Sequence, residues 1–358
     1  MSGYRVDFIR MDGVTMRLVW LDALRGMTIS LVILNHCIIA AKVYLAQSGG
    51  ELNPVVNEIN SVLRLVRMPA FFLCSGILFS IPASRGWHWF LTKRLTWTVW
   101  VAAVWGWLSV LVISAGVNLN SADRDPKEFI GLQYALLEPV GNMWFIYAIA
   151  ILGAYAMAIR TLSRTAALLL SVVLSLALTL FLQYVNLPEG LERLTWNLSV
   201  RGFIFFTIGF IFADFLMNEW KTNAIGFLAA IGIWFACYLV LQDVQFGRDF
   251  FRMALSIPAT FSAIYALQFL FSRLEGIRKI FAHLGRCSLE LFLLHQFCIA
   301  AVMAVLPRLG LGQNGHGLLA IMVAATMVLS YGAAITLATI PGNPLFSVPM
   351  NRRMRLIR

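Results

Sequence analysis

Apolar residues in this chain are gathered into blocks of about twenty, separated by short breaks rich in charge, glycine or proline. A helix of that length covers a hydrocarbon core roughly 30 Å thick. Ten blocks qualify, near 19–41, 60–82, 96–116, 142–160, 165–186, 200–217, 223–241, 249–272, 288–307 and 318–340. The predicted fold is all-α: a polytopic membrane protein of about ten transmembrane helices. Residues 1–18 and 341–358 are expected as tails flanking one membrane domain, 19–340. The first block follows three arginines and has no small-residue cleavage signal after it, so it reads as a retained signal anchor.

Composition agrees with this pattern. The 358 residues are 60% hydrophobic and 13% charged, against roughly a quarter charged in soluble domains, which excludes a water-soluble globule. The net charge of +11 would suit nucleic acid if it were concentrated on one element, but it follows topology instead. With a cytoplasmic amino terminus, 17 basic residues face the cytoplasm and six the opposite side, namely Lys42, Arg124, Lys127, Arg193, Arg248 and Arg308. Both termini are therefore expected inside, with membrane lipids as the surroundings and no nucleic-acid partner. The five cysteines have no metal-type spacing, so neither a disulfide framework nor a metal site is expected.

Charge inside a span costs about 2.5–3.5 kcal/mol even on the gentler insertion scale, so polar residues within the blocks mark a candidate site. They are Asp22, Arg25, His36, Arg64, Arg67, Arg201, Arg252, Glu290 and His295. Eleven helical steps carry Arg25 to His36, which returns them to one face about 16 Å apart along the axis. Asp22, three residues before Arg25, has the spacing to pair with it. Arg64 and Arg67 are expected at the depth of His36. Arg201 and Arg252, near block ends, are expected to snorkel toward lipid headgroups. His295 and Ser288 share a helical face, whereas Glu290 points about 140° away from His295, so these three make a poor triad. The tryptophans from Trp87 to Trp107 are expected to anchor and pack.

Several segments, in order, resemble the acyltransferase-3 family of membrane acyltransferases. Asp22-Ala23-Leu24-Arg25-Gly26 followed by His36 is similar to that family's opening signature. Arg67-Met68-Pro69-Ala70-Phe71-Phe72-Leu73-Cys74-Ser75-Gly76 resembles its second-span segment, and Lys93-Arg94-Leu95 the basic lead into its third span. Asn142-Met143-Trp144-Phe145 and Ser288-Leu289-Glu290-Leu291-Phe292-Leu293-Leu294-His295 resemble two later ones. One departure is that Arg94 is followed three residues later by Trp97; the only literal Arg-x-x-Arg is Arg64 to Arg67.

The resemblance implies an inner-membrane enzyme that moves an acyl group from cytoplasmic acyl-CoA to a hydroxyl of an exported glycan or glycolipid. Acetyl is the expected group, with succinyl left open by the additional arginines. A sugar hydroxyl needs a general base, which His36 can supply. His36, Arg25 and Asp22 form the expected catalytic group, and Arg25, Lys93, Arg94 and Arg286 the expected holders of the CoA phosphates. Arg64, Arg67, Trp144, Glu290 and His295 are the expected acceptor contacts. A multi-span transporter or flippase is the alternative, which would show inverted repeats and broken helices.

Overall fold

The computed structural model describes residues 9–11, 14–16, 19–47, 49–114, 139–218, 220–243, 248–306, 315–340 and 342–348. Among them, ten helices are long and apolar enough to cross a membrane: Val19–Gln47, Pro54–Ala83, Gly86–Ser114, Gly141–Ile159, Arg164–Tyr184, Glu189–Ile211, Ala224–Gln242, Asp249–Arg273, Ser288–Val305 and Gly317–Ala338. They are called spans one to ten in that order. Apart from a hairpin of two three-residue strands, Ile9–Met11 with Val14–Met16, the described elements are helical. The protein is an all-helical multi-pass membrane protein.

Spans two, three and six begin well before their apolar blocks. Span two starts at Pro54 because the Asn53 side chain accepts from the Val55 amide and Pro54 supplies a preset helical φ. Span six starts at Glu189 because its first turns are amphipathic and continue the helix beyond the apolar run. Span six then passes through a π turn, Leu198–Gly202, and span three through another, Phe90–Leu95. A π turn shifts side chains out of the regular helical register. Spans eight and nine are joined by an amphipathic helix, Glu275–Arg286.

Lipid tails are as apolar as the side chains, so helices associate through close packing and hydrogen bonds rather than hydrophobic burial. Two reciprocal glycine contacts show how close that packing is. A Cβ on Gly26 of span one would lie 1.8 Å from the Phe281 carbonyl oxygen of the joining helix, and one on Gly285 would lie 1.8 Å from that of Asp22. Gly76 of span two and Gly209 of span six are matched the same way, at 2.1 Å and 2.2 Å from facing carbonyl oxygens. Pro69, inside span two, cannot donate to the Leu65 carbonyl. The Thr260 hydroxyl of span eight donates to it instead, at 3.4 Å.

After span ten, residues 342–348 fold back against span three. The indoles of Trp97, Trp100 and Trp105 donate to the carbonyls of Phe346, Pro344 and Leu345 at 2.9, 2.7 and 2.7 Å. Three of the tryptophans expected to anchor and pack thus tie down the start of the expected C-terminal tail. The rest of that tail lies outside the described residues.

Gly209→Ala is expected to destabilise the protein by about 1–3 kcal/mol, because the facing backbone must move. Gly232→Ala, where nothing lies within 4 Å, is expected to leave the thermal midpoint in detergent unchanged or slightly higher. Equal midpoints for the two variants would contradict the packing described.

Candidate active site

Spans one and nine share a seam. At one end, Arg25 Nη2 donates to Ser288 Oγ at 2.7 Å, while Arg25 Nη1 is 3.7 Å from Asp22 Oδ1. The expected Asp22–Arg25 pair exists, but the closer partner of Arg25 is across the seam. Asp22 is buried and Glu290 half-buried, the latter within electrostatic reach of Arg25. Beside them, outside the span, burial pushes the Cys287 thiol up to about 11; Glu290 acts in the same direction, and Arg25 and Arg286 oppose it. Arg25, Arg286 and Glu290 are therefore all within electrostatic reach of Cys287. Arg286 is exposed. Lys93 and Arg94 belong to span three, Lys93 exposed and the Arg94 guanidinium 4.8 Å from the Trp97 ring.

At the other end of the seam stand two histidines, with the His36 and His295 ring centroids 5.2 Å apart and tilted by 47°. Both nitrogens of His295 are engaged. Nδ1 is 3.1 Å from the Leu291 carbonyl oxygen, which can only accept, so Nδ1 carries the proton. Nε2 is therefore an acceptor, and it takes the Asn142 side-chain amide at 2.9 Å. His295 is fully buried and fixed in one tautomer, whereas His36 is only half-buried. Ser288 is committed to Arg25 and Glu290 lies at the Arg25 end, so no Ser288–His295–Glu290 triad forms.

Arg67 stands beside this pair. Its Nη2 donates to Asn35 Oδ1 and its Nη1 to Asn60 Oδ1, both at 3.0 Å; Asn60 Nδ2 closes the ring by donating to Asn35 Oδ1 at 3.0 Å. The Leu31 carbonyl accepts a longer bond from Nη1, 3.4 Å. The guanidinium is 6% exposed and close enough to His36 to interact electrostatically. Arg64, one turn before it, is exposed. Arg201 and Arg252 do not snorkel as expected: they are 5% and 8% exposed. The reason is packing of span six on span eight, through Val200, Ile204 and Met253, which turns both side chains into protein. Trp144 is also buried, against Phe72 and Phe145.

Three of the matched segments meet in a cluster of rings. Phe71 and Phe145 lie 4.9 Å apart, Phe145 and Phe292 4.9 Å, and Phe71 and Phe292 6.4 Å. Phe292 continues to His295 at 5.8 Å. These buried rings set His295 against apolar surface, where a fixed charge acts more strongly than in water.

Fold and site together define an integral membrane protein whose reactive polar groups meet inside the helical bundle. The chain belongs to the acyltransferase-3 family, whose acyltransferase-domain model matches residues 18–335. It is similar to the inner membrane protein YcfT of Escherichia coli (strain K12), 25% identical over 223 residues. That match covers 56% of this chain and 57% of the relative. No solved structure matches the chain.

Sequence reasoning placed Arg25, His36, Arg67 and His295 in the site but missed Asn35, Asn60 and Asn142. Two of these carried a signal: Asn35 immediately precedes His36, and Asn142 opens the segment quoted for Trp144. Leaving a buried acceptor unpaired costs about 1–3 kcal/mol, whereas removing both partners is nearly neutral. Asn142→Leu is therefore expected to lower stability by that amount, and Asn142→Leu with His295→Phe to recover most of it. Additive losses in thermal denaturation would contradict the bond.

Proposed function

We propose that the protein is an O-acyltransferase of the bacterial inner membrane, with both termini cytoplasmic. It moves an acyl group, acetyl foremost, from cytoplasmic acyl-CoA to a hydroxyl of an exported or surface glycan. The observation that carries this reading is the half-buried His36 set between His295, whose nitrogens are spent, and the fixed guanidinium of Arg67. The distribution of basic residues supports the orientation, and the name of the Escherichia coli relative supports the compartment.

In this mechanism His36 accepts the proton of the acceptor hydroxyl as its oxygen attacks the thioester carbonyl. Arg67, already oriented by Asn35 and Asn60, faces the oxyanion with no reorganisation at the moment of reaction. Collapse of the intermediate breaks the carbon–sulfur bond, and the His36 imidazolium returns its proton to the departing thiolate. His295 is a positioning residue, since protonating it would require giving up Asn142. At the far end of the seam Arg25 and Arg286 offer positive charge to the CoA phosphates, joined on span three by Lys93 and Arg94. Asp22 and Ser288 hold Arg25 in place, and Glu290 completes that end.

His36→Ala removes one polar group and creates no unpaired charge. It is expected to leave abundance in the membrane intact and to abolish acylation, read by mass analysis of surface glycans from cells with and without the variant. Acylation near the wild-type level would overturn the assignment. Arg25→Ala is expected to reduce abundance by removing the positive charge beside the buried Asp22; adding Asp22→Asn is expected to restore abundance and not acylation. Recovered acylation in the double variant would make the pair purely structural.

A further inference from the structure

Span six carries a feature the mechanism does not use. Its π turn places Arg201 inside the protein, 5% exposed. Nη1 donates to Asn197 Oδ1 at 2.9 Å, while the buried Nε and Nη2 have no hydrogen-bond partner among the described residues. Those two atoms form the side of a guanidinium that receives both oxygens of a carboxylate or phosphate at once.

The Trp196 ring lies between Arg201, at 4.5 Å, and Arg252, at 5.6 Å. Asp249 is already engaged, accepting from Arg252 Nη1 at 2.7 Å and from the Trp196 indole at 3.3 Å. Arg64 and Arg67 act on Arg201 from span two. Arg201 thus lies within electrostatic reach of Arg252, Arg67 and Arg64 and, with opposite sign, of Asp249. Arg67 also interacts with His36, so it links this cluster to the candidate base. Within a membrane span, charge of one sign is retained where a partner of the other sign arrives.

We infer that the Nε–Nη2 edge of Arg201, with Arg252, Arg67 and Arg64 around it, is a subsite for an oxyanion carried by a substrate, a carboxylate or a phosphate. The inference deepens the acyl-transfer reading and rests on it for the identity of the substrate. The oxyanion has two chemical sources: an anionic sugar or phosphate on the acceptor, or the free carboxylate of a dicarboxylic acyl group on the donor. In either case Arg201 holds the charged group and Arg67 lies between it and His36, so the subsite selects a charged substrate over a neutral one.

The test uses the full-length protein purified in detergent. Inorganic phosphate, glucuronate and succinate, compared with glucose at constant ionic strength, are expected to raise the thermal midpoint in a saturable manner for at least one anion. Asn197→Asp sets a carboxylate against Arg201, and Arg201→Gln removes the edge; both are expected to lose that increase. Arg201→Gln is expected to keep or raise the midpoint measured without anions, where a merely structural arginine would lower it. His36→Ala is expected to keep the anion response even if it has no bearing on acylation, so the two readings fail separately. In transfer assays, Arg201→Gln is expected to raise KM at least about tenfold, with kcat changed less. The rise falls on succinyl-CoA relative to acetyl-CoA if the acyl group carries the charge, and on the acceptor if the acceptor does. No anion-specific stabilisation of the wild type, or equal stabilisation of Arg201→Gln, would overturn the inference.

Discussion

A hydrocarbon layer offers no hydrogen-bond partners, so a polar side chain within the spans is stabilised by meeting another group of the protein. That constraint explains most of the contacts between spans. Arg25 finds Ser288, Arg67 finds Asn35 and Asn60, His295 finds Asn142, and the carbonyl freed by Pro69 finds Thr260. Apart from Asn60, which shares span two with Arg67, each partner lies on a different helix. The same pairings that make the polar residues tolerable in the membrane hold the spans in register and fix the orientation of the candidate site's side chains.

The register along the seam follows from simple lengths. On span one, eleven residues separate Arg25 from His36, about 16 Å of helix. On span nine, seven residues separate Ser288 from His295, about 10 Å. The reach of the arginine side chain, extended across to Ser288, makes up the difference and lets both pairs form at once. The close Gly26–Gly285 contact holds the adjoining helix against the Arg25 end. Between the two ends lie the apolar rings of Phe71, Phe145 and Phe292, which separate the Arg25 end from the histidine end.

The architecture was legible in the sequence because span length and apolarity are local properties. So was the pairing of Arg25 with His36 on one face, which depends only on helical pitch. What stayed hidden depended on contacts between helices. Asn142 and Asn60 look like ordinary polar residues near span ends until span nine and span one are brought beside them. The burial of Arg201 follows from a π turn and from packing against span eight, neither of which is visible in a hydropathy pattern, so its position near a block end pointed to snorkelling. The docking of Pro344, Leu345 and Phe346 on three indoles likewise joins segments about 240 residues apart.

The account makes the seam of spans one and nine the path between a donor's phosphates and the base. An extended pantetheine arm is comparable in length with the roughly 16 Å from Arg25 to His36. The most direct measurement is a structure of the full chain with a non-hydrolysable acyl-CoA analogue. The account predicts the phosphates near Arg25 and Arg286, the arm along span one past the phenylalanine rings, and the acyl carbonyl within reach of His36 and Arg67. A nucleotide bound at the His36 end, or an acyl group that stops at Arg25, would contradict it and favour a relay through an acyl-enzyme.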